Sequence, residues 1–176
     1  MKTLKELRFH NPYETRKMGC ILRVLKRKYK IDFDVYLPTL QKNLQRPLVW
    51  NLDQKRELIW SVFLQRDIPD LSIINRYPDE GVLDNDVIEV IDGKQRLHTL
   101  LSFLDNEFTI EIDGVEYFFK ELPKEYQIEF ENYGLRYTEV LEHAKKIPDS
   151  FKIAWFKQIN FAGTPQDKEH MDSLTI

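Results

Sequence analysis

The sequence predicts an α+β fold, a small mixed β-sheet with packed helices and a helical C-terminal portion. Apolar residues recur at helical spacing in two stretches, at Leu58, Ile59, Val62 and Phe63, and at Leu97, Leu100, Leu101 and Leu104. Elsewhere the period drops to two, as in Ile31, Phe33 and Val35, while "VIEVI" (87–91) reads as a buried strand. Asp113-Gly114 lies between the alternating runs of "FTIEIDGVEYFF", where a tight type I′ hairpin turn favours that dipeptide.

In chain order, residues 13–30 place Met18, Leu22, Leu25 and Tyr29 on one helical stripe, with Arg16, Arg23, Lys26, Arg27 and Lys30 largely elsewhere. This predicts a basic amphipathic helical segment over 1–30, packed on the main domain or facing nucleic acid. A single domain is expected over 31–176. It opens with a strand over 31–36 that Pro38 closes. Pro47 holds Arg46 extended, and Asn51 or Asp53 caps a helix running to about Arg66. Pro69 precedes the strand "LSIIN", and "RYPDEGVLDND" is a polar loop. After "VIEVI" come the turn "DGKQR" and the leucine-rich helix. Further helices are expected over about 123–132 and 149–159. Gly163 stops the last of these, Thr164 can cap a following helix, and Pro165 fits its first position.

The 176 residues, 42% hydrophobic and 31% charged, describe an ordinary globular chain. Apolar runs are far too short to span a membrane, and the N-terminus lacks the apolar core of a signal peptide. One cysteine, Cys20, fits a reducing compartment, so a cytoplasmic location is expected. Charge is uneven along the chain. Residues 1–60 hold 14 Lys and Arg against 6 Asp and Glu, whereas residues 61–176 hold 12 against 23. The basic third can face phosphates, or the two parts can simply attract each other within the fold.

The join at 92–96 invites a chemical reading. A helix N-terminus offers unpaired N–H groups and partial positive charge, a natural anion site. Gly93 allows close backbone approach, Lys94 and Arg96 add cations, and Gln95 can donate or accept. Asp92 repels phosphate unless it binds a divalent ion, orients an arginine or serves as a base. The plainer alternative makes Asp92 an ordinary helix cap.

"LQRPLVW" (44–50), "IP" (68–69), "VIDGKQRLHTLLSF" (90–103) and "FKQINFAGTPQ" (156–166), in that order, resemble the N-terminal domain family of GmrSD-type modified-DNA restriction proteins. The resemblance covers about residues 31–172 and implies a ParB/sulfiredoxin-like core. It marks Gln45, Arg46, Asp92, Gly93, Gln95, Arg96, Asn160 and Gly163, with Thr164 beside the last. Lys94 stands where the family usually has glutamine, and "TLQKN" before Gln45 looks like an insertion. The resemblance implies a nucleoside triphosphate as ligand or substrate, with Mg2+ at Asp92, and hydrolysis or phosphoryl transfer as the chemistry. Asp92 and Arg96 are the expected catalytic pair, and Gln45, Arg46, Gly93, Lys94, Gln95, Asn160, Gly163 and Thr164 the phosphate-binding set. Expected partners are DNA and a separate nuclease or effector, since the chain ends without a nuclease domain and His10, His98, His143 and His170 are scattered. Sulfiredoxin-type chemistry needs a cysteine in the turn, which is missing. The alternative is a non-catalytic module that senses nucleotide or DNA phosphate.

Overall fold

The computed structural model describes residues 11–76, 87–142, 146–161 and 173–174. Among them, β1 (Thr15–Ile21) leads into α1 (Leu22–Lys28), followed by β2 (Lys30–Asp32), β3 (Tyr36–Leu37) and β4 (Lys42–Asn43). Then come α2 (Leu52–Phe63), β5 (Leu71–Arg76), β6 (Val87–Asp92) and α3 (Lys94–Leu104). The hairpin β7 (Ile110–Ile112) and β8 (Val115–Tyr117) precedes a 3-10 turn, α4 (Lys124–Glu131), β9 (Gly134–Glu142) and α5 (Asp149–Phe161). The expected α+β class is correct. Most of the polar loop "RYPDEGVLDND" lies outside the described residues.

Five strands form a mixed sheet in the order β1-β9-β5-β6-β2. β1 and β9 run antiparallel, β9 and β5 parallel, β5 and β6 antiparallel, β6 and β2 parallel. Both faces are covered, which explains why β5 is buried at five successive positions, Leu71 to Asn75, rather than at alternate ones. Ile73 packs toward Leu22, Ile59, Leu97 and Phe103 of the three helices on one face. Its neighbour Ile74 packs toward Phe151 and Phe156 of α5 on the other.

Local rules hold where local interactions decide. Asn51 caps α2 and forms a reciprocal capping box with Gln54. Asp113 and Gly114 take φ of 51° and 78°, the left-handed pair a type I′ turn requires. The helical expectation over 13–30 is corrected: residues 15–21 are a strand, paired with β9 over seven positions, and the helix begins only at Leu22. Sheet pairing wins over the helical spacing, and Met18, assigned to the inward stripe, is 45% exposed. The expected strand over 31–36 also breaks. The Asp32 carboxylate accepts from the N–H groups of Asp34 and Val35 at 3.0 and 2.9 Å, and Val35 adopts φ 52°.

On the α5 face, Glu89 and Lys152 are each 1% exposed. The Lys152 Nζ lies 2.8 and 2.6 Å from the two Glu89 carboxylate oxygens. Arg76 pairs with Glu89 and reaches Glu142 at 3.1 Å. Burial, with Arg76 nearby as the next cause, lowers the Lys152 ammonium from 10.5 to about 8. The folded chain therefore holds fewer protons on this group between those values, so its contribution makes stability rise with pH across that window. Below about pH 8 the cost of the buried charge is present in full. In urea unfolding, the wild type gains on the order of 3 kcal/mol relative to Lys152→Met between about pH 8 and 10.5. A pH-independent difference between the two proteins contradicts this assignment.

Candidate functional site

β6 delivers Asp92 to the sheet's end, and Gly93 turns the chain into α3 with φ 94° and ψ 15°. A Cβ on Gly93 would meet Leu71 Cδ2 at 2.2 Å, so both backbone conformation and packing demand glycine. Gly93 is itself the N-cap residue, and no side chain caps α3. The plain reading of Asp92 as a cap therefore fails. Its Oδ2 instead accepts from Arg96 NH2 at 2.8 Å, one helical turn on. Arg96 NH1 also donates to the Pro69 carbonyl. A guanidinium has five donors, so several remain.

The distant QR-P-W block is tied to this turn by two glutamines. Gln45, buried, donates from Nε2 to the Val90 and Ile91 carbonyls at 2.8 and 2.6 Å. Gln95 accepts from Val49 N and Trp50 N at 3.1 and 3.3 Å, and donates to the Pro47 carbonyl at 3.0 Å. The "TLQKN" stretch is the turn and second strand of the β3–β4 hairpin, which brings the chain back so that Gln45 N donates to the Asp34 carbonyl at 3.2 Å. Lys94 is buried and pairs with Asp34 at 2.7 Å. Arg46, held between Gln45 and Pro47, is half-buried and has no ion pair or side-chain hydrogen bond among the described residues.

Gln45, Arg46, Asp92, Gly93, Lys94, Gln95 and Arg96 are thus brought together. Gln45, Lys94 and Gln95 use their side chains to fasten the protein to itself. The groups left for a ligand are Arg46, the remaining donors of Arg96, the second Asp92 oxygen and the first-turn N–H groups of α3. Asn160 lies in the last turn of α5, where its amide donates to the Phe156 carbonyl at 2.8 Å. Gly163 and Thr164 lie outside the described residues.

Beside Arg96 opens a cavity of about 310 Å3, lined among others by Trp50, Glu57, Ser61, Asp67 and Pro69. Neither Trp50 nor the carboxylates were identifiable as lining residues from sequence, because α2 and the 67–69 segment meet the turn only in the fold. Two carboxylates repel a polyanion, whereas Trp50 offers a flat apolar wall. His98, one turn further along α3, faces Phe33 edge-on, and burial lowers its pKa. Burial pushes the Cys20 thiol up, away from the reactive thiolate. No group of three or more His, Cys, Asp or Glu side chains converges on a metal position among the described residues. A magnesium ion at Asp92 would take its remaining ligands from water and phosphate, its usual mode.

Residues 24–174 match the family described as GmrSD restriction endonuclease, N-terminal domain. No curated protein and no solved structure matches the chain.

Because Gly93 faces Leu71, Gly93→Ala is expected to destabilise the chain by about 2–4 kcal/mol, from left-handed strain plus overpacking. Urea denaturation measures this. A loss within about 0.5 kcal/mol would show that the turn relaxes freely.

Proposed function

This chain belongs to the GmrSD restriction endonuclease N-terminal domain family, and from that premise we propose that the Asp92–Arg96 turn binds the phosphates of a nucleoside triphosphate and promotes its hydrolysis or transfer. Family membership associates the chain with restriction, and so with a nuclease or DNA as partner. The single observation that supports the finer reading is Arg46. Arg46 is a partly buried arginine without an ion pair among the described residues. Its segment is fastened on both sides, through Gln45 and Pro47, to a helix N-terminus that no side chain caps, and such a place suits an anion.

In this reading, phosphate oxygens meet the first-turn N–H groups of α3, Arg46 and the remaining donors of Arg96. Asp92 fixes the plane of the Arg96 guanidinium by their 2.8 Å bond. Two prearranged cations offset charge that develops on the transferred group. Trp50 stacks on the base, while Glu57 and Asp67 keep the phosphates out of the neighbouring cavity and accept from base or ribose. Mg2+, when bound, would neutralise phosphate charge, with Asp92 as its protein ligand. With no metal on it, the second Asp92 oxygen can instead orient the attacking water or hold its proton. No helix among the described residues is long and apolar enough to cross a membrane. We place the protein in the cytoplasm, where DNA and nucleotide are both at hand.

A second reading, a sensor without turnover, has one observation in its favour. Asp92 already holds Arg96 with one oxygen, which leaves less carboxylate for chemistry.

Arg46→Ala is expected to weaken nucleotide binding by about 1.5–3 kcal/mol in calorimetry. It should unfold no lower than wild type, since no described partner is lost and a partly buried charge is removed. Unchanged affinity refutes the phosphate role. Asp92→Asn should keep nucleotide affinity while phosphate release falls at least ~100-fold. Equal turnover removes Asp92 from the chemistry, and binding without turnover in the wild type, with and without DNA and magnesium, leaves the sensor.

A further inference from the structure

α1 carries three cations, Arg23, Lys26 and Arg27, into a groove of about 380 Å3 that is opposed by a single carboxylate, Glu131. Leu104 and Phe119, 8% and 6% exposed, form its floor. Only Lys26 finds a carboxylate, that of Asp105 just past α3. Arg23 and Arg27 are exposed and have no partner among the described residues. The mutual attraction of basic and acidic parts of the chain therefore does not account for them.

Arg23 is placed against helix stability, and Arg27 is its like-charge neighbour. Cations near a helix C-terminus suit the helix dipole, which accounts for Lys26, Arg27 and Lys28 in the last turn. Arg23 sits in the first turn, where the dipole opposes a cation, and its i,i+4 neighbour on α1 is Arg27, a like charge. Both arrangements disfavour the folded helix unless an anion lies across them.

We propose that this groove holds the sugar–phosphate backbone of duplex DNA, as a contact separate from the Asp92–Arg96 turn. α3 runs from that turn toward the groove, so its eleven residues set the two apart by about 16 Å. Single strands are bound through exposed aromatic platforms, and here Phe119 is buried in the floor. A membrane-surface helix needs a free apolar face, whereas Leu22 and Leu25 of α1 are buried in the core. Cations flanking a buried apolar floor instead match a contact with phosphates that is indifferent to sequence. The argument stands on charge and placement and is independent of whether the turn binds nucleotide.

The test is fluorescence anisotropy with a short labelled duplex of arbitrary sequence, from about 50 to about 200 mM salt. Arg23 and Arg27 are changed together to Gln and, separately, together to Glu, with Arg46→Ala as the comparison. Each phosphate contact contributes about 0.9 to the salt slope, so removing both should flatten it by about 2. At the lowest salt the Glu pair should lose at least ~10-fold in affinity and the Gln pair a smaller factor. Both variants should stay folded with wild-type nucleotide affinity, because the changed side chains are exposed and away from the turn, and the Gln pair should unfold no lower than wild type because a like-charge contact is relieved. Wild-type affinity and slope in both double variants overturn the proposal. So does the absence of wild-type duplex binding at the lowest salt, and so does loss of binding in Arg46→Ala with retention in the α1 variants, which places DNA at the turn.

Discussion

Between Gly93 and Leu71 there is room for a hydrogen and nothing larger. Gly93 also leaves β6 in the left-handed region that glycine adopts without strain, and the direction of α3 follows from that turn. With α3 so placed, Arg96 comes back over Asp92, Gln95 points at the 47–50 segment, and Leu97 and Leu100 enter the core. Leu71 belongs to the same core as those leucines. The turn is therefore anchored to the interior from beneath, while its N–H groups open outward.

The QR-P-W and DGKQR blocks occur together for a physical reason. Each supplies a glutamine that bonds the other's main chain: Gln45 reaches the end of β6, and Gln95 reaches residues 47 to 50. Glutamine suits this work because one side chain carries both donors and an acceptor without a charge to desolvate. Lys94, the residue at which this chain departs from the family it resembles, is similarly engaged by Asp34. The motif is thus in large part a device for assembling two chain segments, and Arg46 is its one cation left without a described protein partner.

Legibility in the sequence followed the range of the interaction. The Asp113–Gly114 turn, the α2 capping box and the leucine stripe of α3 depend on residues a few positions apart, and each was foreseeable. β9 was not, because its alternation stops after Tyr137 and two buried carboxylates, Glu139 and Glu142, occupy places where an apolar residue is expected. β1 was mistaken for helix because its strand character comes entirely from β9, more than a hundred residues away. At the site, the positions that matter were visible as motifs while their roles were not. Asp92 as the partner of Arg96 rather than a cap depends on Gly93 taking the cap position, and Gln45 as a clamp depends on the β3–β4 hairpin.

Charge tells the same story of pairing against exposure. Arg56 reaches Glu116 at 2.7 Å, Arg136 reaches Asp70 at 3.0 Å, and Arg76 lies between two buried carboxylates. Against such pairings, an arginine without one calls for an explanation in proportion to its cost. For Arg46, on the segment that Gln45 and Gln95 tie to the start of α3, the cost is partial burial of an arginine without a described partner. For Arg23 and Arg27 it is like-charge repulsion on a two-turn helix whose dipole opposes the first of them. An anion at each place would offset its cost, which is the ground the two proposals share. In the nucleotide site proposed above, the α3 N–H groups and Trp50 would meet a compact phosphate with a base attached. Along α1, where Phe119 is sunk in the floor and Arg23 and Arg27 have no partner among the described residues, the proposed occupant is an extended run of phosphates.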